Sequence, residues 1–206
     1  MGLARTERKQ LSDLFVQVGP DAPTLCSPWT TRDLAAHLVI RERRLDAAPG
    51  IMLKPLAGYT QKVQDSYAAK PWTELVDLVR QGPPVYSPYK LADELVNAGE
   101  FYIHHEDVRR AQDGWEPRSP DPVRDAQLWK ALKVTAKFAY RNSPVGLVLR
   151  RSSGESVTVK QGATPVVVTG EPGELVLLAA GRKAVRVEFD GDESAVAAVR
   201  SLNTGL

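Results

Sequence analysis

Near residue 143 the apolar side chains stop recurring every three or four positions and begin to alternate. A helix repeats about every 3.6 residues and a strand every two, so no single kind of element satisfies both patterns. The chain is therefore expected to have an α+β fold. Residues 1–142 form a helical part, and residues 143–206 form a small α+β domain.

In the helical part Leu11, Leu14, Phe15 and Val18 share one helical stripe, and Gly19-Pro20 ends it, which predicts a helix over 3–18. Thr30 followed by Asp33 reads as a capping box for a second helix, which carries Leu34, His37, Leu38 and Leu45 along one stripe. Arg41, Glu42, Arg43 and Arg44 are expected to face solvent, and the helix should stop before Pro49-Gly50. Residues 55–69 are polar enough to be a loop-and-helix crossover. Pro71 sits at a tolerated first-turn position of a helix that buries Leu75, Val76, Leu78 and Val79, and Gly82-Pro83-Pro84 breaks it. The longest helix spans 90–112 and buries Leu91, Leu95, Ala98, Tyr102 and Val108, with Gly114 beyond its end. A further helix over 123–140 packs through Leu128, Trp129, Leu132 and Phe138 and is placed to bridge to the second part. Together these predict a four-helix bundle with additions.

After the change of period, Val145, Leu147 and Leu149 make a strand, Ser152-Ser153-Gly154 a turn, and Val157 with Val159 the returning strand of a hairpin. Residues 165–169 form a short apolar strand. Pro172 opens a helix closed by Gly181, and 185–189 is a last strand before a C-terminal helix through Val196 and Val199. About 60 residues give a marginal core, so this part should lean on the helices before it.

Composition excludes several function classes. A net charge of +2 with interspersed signs lacks the concentrated field that would neutralise a nucleic-acid backbone. No apolar run approaches the roughly 18 residues needed to cross a bilayer, and the charged first residues lack the apolar stretch of a secretory signal. A single cysteine agrees with a reducing compartment, so the expected location is the cytoplasm. Cys26 itself reads either as a reactive thiol or as a small apolar residue near a helix start. No His or Lys nearby in sequence favours the first.

The histidines carry more. There are three, His37, His104 and His105. Glu100 and His104 are one helical turn apart and project from one face, where they can grip one ion together. His37 lies on the inward side of its helix beside Leu34 and Leu38. Two imidazoles and a carboxylate are the three donors of a catalytic zinc site, with a position left open for water or substrate. The competing reading is ordinary core histidines and a chance spacing. Asp107 is either an acceptor for an imidazole N–H or a surface partner of Arg110 or Arg41. His105, about 100° round the helix, is expected to point away, and Glu94 and Glu106 to be exposed charges.

Three segments bear a resemblance to a known family: 26–38 (CSPWTTRDLAAHL), 100–111 (EFYIHHEDVRRA) and 170–182 (GEPGELVLLAAGR). They resemble the DinB-like superfamily, in particular the metal-binding proteins of the mycothiol-dependent maleylpyruvate isomerase type. The first is similar to that family's approach to helix two with its ligand histidine, and the second to its paired Glu and His. The third is similar to a helix ending in Gly-Arg in its sterol-carrier-like C-terminal domain. The resemblance implies that His37, Glu100 and His104 hold a divalent metal, zinc, which activates the thiol of mycothiol or another low-molecular-weight cofactor.

The reading that follows is a metal-dependent thiol transferase or isomerase, with a small-molecule thiol and an electrophilic substrate as partners. Arg182 or Arg41 is its candidate anion contact, although Arg182 also suits a helix C-terminus, where a cation complements the dipole. A non-catalytic metal-binding or small-ligand carrier protein is the alternative. A non-haem iron oxygenase, which the same donors suit, ranks third.

Overall fold

The computed structural model describes residues 2–85, 87, 89–202 and 204, and the side chains of 89, 91, 92, 95 and 96 lie outside that description. Leu91 and Leu95, expected on the buried face of the longest helix, are thus outside the described residues. The chain divides into two compact units, Met1–Trp115 and Glu116–Leu206. The fold class is α+β, as the change of period requires.

The first unit contains α1 (Leu3–Val18), α2 (Thr31–Arg43), α3 (Ala57–Ala68), α4 (Trp72–Gln81) and α5 (Tyr89–Arg109). Leu11 and Phe15 of α1, Leu34, Leu38 and Val39 of α2, Leu75 and Val79 of α4, and Phe101 and Val108 of α5 form one core. Phe15 meets Trp72 edge to face with ring centroids 5.6 Å apart.

α2 stops before Pro49-Gly50, as expected, but already at Arg43, so Leu45 lies beyond the helix rather than on its stripe and is 44% exposed. Arg44 and Asp46 instead pair at 2.7 Å across a turn, so the apolar stripe closes at Ile40. Glu42, expected in solvent, is buried and bonded to Arg8 and Asn97. The ambiguous stretch 55–69 is the end of a short 3-10 turn, Lys54–Leu56, followed by α3, and a separate 3-10 turn, Ala48–Ile51, precedes it. The buried residues of α3 are Thr60, Val63 and Gln64, and a face with one aliphatic side chain gives little periodic signal.

The second unit comprises α6 (Pro122–Ala139), β1 (Leu147–Arg151), β2 (Ser156–Lys160), β3 (Val166–Gly170), α7 (Pro172–Ala179), β4 (Glu188–Asp190) and α8 (Glu193–Arg200). The strands form one sheet in the order β2-β1-β3-β4. The expected hairpin is present, with β1 antiparallel to β2, while β1 and β3 run parallel and β4 closes antiparallel on β3. The boundary falls before α6, not after it as the sequence suggested. Leu128, Trp129, Leu132 and Ala136 of α6 are buried, and the helix packs on α7 and β2 within this unit. A sheet of such short strands gains from α6 the apolar cover that 143–206 alone lacks. Phe138, expected to pack, is 57% exposed. Residues 185–187 do not join the sheet, because the Arg186 N–H donates to the Glu174 carboxylate at 2.7 Å.

α7 ends in a Schellman arrangement. Gly181, at φ +81°, donates its N–H to the Leu178 carbonyl, and the Arg182 N–H reaches back to the Leu177 carbonyl, each at 2.9 Å. No described helix is long and apolar enough to cross a membrane.

Candidate metal centre

The start of α2 is fixed before His37 is placed. The Thr30 N–H donates to Asp33 Oδ2 at 2.9 Å, and Thr31 Oγ1 donates to the Gly19 carbonyl at 2.6 Å, which ties the helix to the end of α1. Two turns on, His37 is buried, its ring 5.0 Å from that of Trp29. Glu100 and His104 lie one turn apart on α5 and face it.

These three residues converge. His104 Nε2 is 3.3 Å and His37 Nε2 4.0 Å from Glu100 Oε1, and the imidazole centroids are 5.5 Å apart. One donor atom from each lies within 4.8 Å of the others. Donors at bond lengths of about 2.1 Å from one tetrahedral ion stand roughly 3.4 Å apart, so small side-chain rotations would bring all three onto one cation. Two imidazoles and a carboxylate are donors of the kind a divalent cation takes. The imidazoles are buried, whereas the Glu100 side chain keeps 28% of its surface exposed, which leaves one side of the cluster open.

Asp107 resolves in favour of the imidazole. It is fully buried, and its Oδ2 lies 2.9 Å from His104 Nδ1, which leaves Nε2 turned towards Glu100 and His37. Burial disfavours a charged His104, but bonds to Asp107, Cys26 and Glu100 outweigh it and lift its pKa well above the usual value. Burial would likewise raise Glu100, yet His104 and His37 hold its carboxyl well below the carboxylate range. Burial lowers His37, which favours its neutral, ligating form.

A buried polar network stands behind Glu100. Arg41 Nε is 3.6 Å from Glu100 Oε1, and the same guanidinium donates to Asn97. Asn97 Nδ2 in turn donates to Glu42 at 2.8 Å and to Asp93 at 2.7 Å, and Arg8 binds both carboxylates. Arg41 is thus half-buried beside the cluster rather than in solvent.

His105 turns away, as its position round the helix requires, and its Nδ1 lies 2.8 Å from Glu7 of α1. Glu106 is not an exposed charge. It is fully buried and holds Arg109 at 2.7 Å and Arg110 at 2.5 Å. Glu94 is exposed, and its carboxylate accepts the Ala4 N–H at 3.0 Å. Arg182 belongs to the second unit, where its guanidinium donates to the Ala180 carbonyl at 2.6 Å, at the end of α7.

Cys26 is the residue the sequence reading undervalued. Its thiol donates to Asp107 Oδ2 at 3.1 Å, so it sits against the carboxylate that orients His104. The Leu25 N–H donates to the Asp107 carbonyl at 3.0 Å and pins that loop on α5. No spacing in the sequence signals a contact between residues 81 positions apart.

No protein-family model matches the chain, and no curated protein is significantly similar to it. Among solved structures it is similar to a mycothiol-dependent maleylpyruvate isomerase, seen in one crystal structure of the enzyme and one of a histidine-to-alanine variant. Each match has a TM-score of 0.63 and 19% identity, and covers 91% of this chain and 90% of the other. At that identity the likeness speaks for architecture alone: over 91% of its length this chain shares the fold of that isomerase.

Proposed function

We propose that the chain is a metal-dependent thiol transferase or isomerase, in which His37, Glu100 and His104 hold one divalent cation, zinc. A low-molecular-weight thiol of the mycothiol type would supply the nucleophile, and a small electrophile would be the substrate. The observation that carries this reading is the meeting of three donors from α2 and α5 within 4.8 Å. The shared fold with a thiol-dependent isomerase supports it, as does the agreement of a lone cysteine with the reducing cytoplasm.

A bound divalent cation would lower the pKa of a thiol and keep it as thiolate at neutral pH. The chain's own groups prepare that position. Asp107 accepts a hydrogen bond from the His104 Nδ1–H and so presents Nε2. Burial keeps His37 neutral. Arg41, beside Glu100, offsets part of the carboxylate's charge and puts a cation next to the open side of the cluster. Arg182 remains a candidate contact for a substrate anion.

The alternative, a structural ion in a carrier protein, predicts a site closed by protein ligands. Three donors with a partly exposed Glu100 favour the open site. Elemental analysis of the purified chain beside His37→Ala, followed by thiol-consumption assays with and without chelator, tests the proposal. We expect about one zinc per wild-type chain, little in the variant, and thiol consumption that chelation removes while the fold persists. Unfolding on chelation would support the structural ion instead.

A further inference from the structure

The cluster has a second side. Cys26 Sγ, Asp107 Oδ2 and His104 Nδ1 also lie within 4.8 Å of one another, and they use the opposite nitrogen of the same imidazole. We propose that these three form a second cation position, for a thiophilic divalent ion such as cadmium, and that sharing His104 lets the two positions hold one ion between them. The proposal rests on the proposed function only where it gives His104 Nε2 to the first position.

The donor set is held in place before any ion arrives. Asp107 is fully buried and lies on the same helix as His104. The backbone on either side of Cys26 is anchored: the Leu25 N–H donates to the Asp107 carbonyl at 3.0 Å, and the Cys26 N–H donates to Thr24 Oγ1 at 3.1 Å. Thr24 Oγ1 in turn donates to the Trp29 carbonyl at 2.8 Å. Cys26 is only half-buried, which gives an ion a way in.

Charge and softness favour this side for a soft ion. A thiolate and a carboxylate neutralise a divalent cation completely, whereas two imidazoles and Glu100 leave one positive charge in a largely buried setting. Thiolate sulfur prefers soft metals, and imidazole with carboxylate suits zinc and harder ions. On binding, the thiol proton and the His104 Nδ1 proton leave to solvent, and metal–sulfur and metal–nitrogen bonds form with no electron transferred. A neutral imidazole has one lone pair and one N–H. When Nδ1 binds the ion the proton sits on Nε2, facing Glu100, and the first position loses its ligand.

Cys26 is the only cysteine, so any sulfur-to-metal charge-transfer absorption reports this residue alone. Metal-free full-length chain is titrated with cadmium, with the ultraviolet band and circular dichroism recorded together. We expect a band that saturates at one cadmium per chain in wild type and in His37→Ala and is absent in Cys26→Ser. In zinc-loaded wild type, cadmium should release zinc one for one. Glu100→Gln replaces His37→Ala if that variant does not fold. The proposal is overturned by folded wild type that shows no band, or by loss of the band in His37→Ala, which would make Cys26 a ligand of the first position. Cadmium and zinc bound together on one chain would also overturn it. Zinc content that ignores His37→Ala while the cadmium band persists would defeat the proposed function and leave this inference standing.

Discussion

His104 places its Nδ1 2.9 Å from Asp107 Oδ2, and that contact decides which of its ring nitrogens is left for a metal. The pair is buried, three residues apart on one helix, and each of its members also faces a different neighbour, Glu100 on one side and Cys26 on the other.

Removing the charge from Asp107 should therefore weaken zinc binding at His37, Glu100 and His104 without touching any of those three ligands. Outer partners of metal-bound histidines typically contribute about 10–100-fold in affinity, and Asp107→Asn is expected to lose that much. Competition with a chromophoric chelator measures it, and an unchanged affinity in a folded variant would remove Asp107 from the site.

Two opposed shifts set the pH dependence of the metal-free chain. His104 is raised well above its usual 6.5, so the stability its charged form contributes is complete below that value and is lost as pH rises through the folded pKa. Glu100 is depressed well below its usual 4.5, so its contribution is complete above that value and is lost as pH falls through the folded pKa. Metal-free protein should thus lose stability towards alkaline pH, while zinc binding strengthens there because the ion replaces the His104 proton. Thermal unfolding with and without zinc across that range checks both signs, and a metal-free midpoint that climbs with pH contradicts them.

Arg8 and Glu42 make a buried pair, with side chains 5% and 2% exposed. Arg8→Ala strands the carboxylate and is expected to cost about 3–5 kcal/mol in urea unfolding. Arg8→Met combined with Glu42→Met should recover part of the loss, since the Glu42 charge is no longer stranded, although Asp93, which Arg8 also binds, is left with Asn97. A double variant no better than Arg8→Ala would show that the guanidinium contributes chiefly through Asp93 and its packing over Phe101, 4.3 Å from the ring centroid, rather than through Glu42.

Arg182→Ala separates two roles. As a group that completes the end of α7, Arg182 should lower the stability of the chain when removed, by about 0.3–1 kcal/mol, and leave catalysis alone. As an anion contact it should raise KM for a charged substrate with little change in the melting midpoint. A steady-state assay beside a melting curve distinguishes the two.

Much of this chain was legible in one dimension. The change of period near residue 143 determined an α+β fold, Gly19-Pro20 and Gly82-Pro83 set the ends of α1 and α4, and the one-turn spacing of Glu100 and His104 put both on a single face of α5. These are local consequences of backbone geometry, which a sequence carries directly. What tertiary structure decided are the contacts between distant segments and the burial of charge. His37 meets its partners across 63 and 67 positions of chain, counting from 37 to 100 and to 104. Cys26 reaches Asp107 only because the loop before α2 is pinned on α5. Glu42 and Glu106 read as solvent-facing by composition, yet each is buried because an arginine is folded in against it. The cost of burying a charge depends on partners that only the folded chain supplies, and no periodicity along the sequence records them.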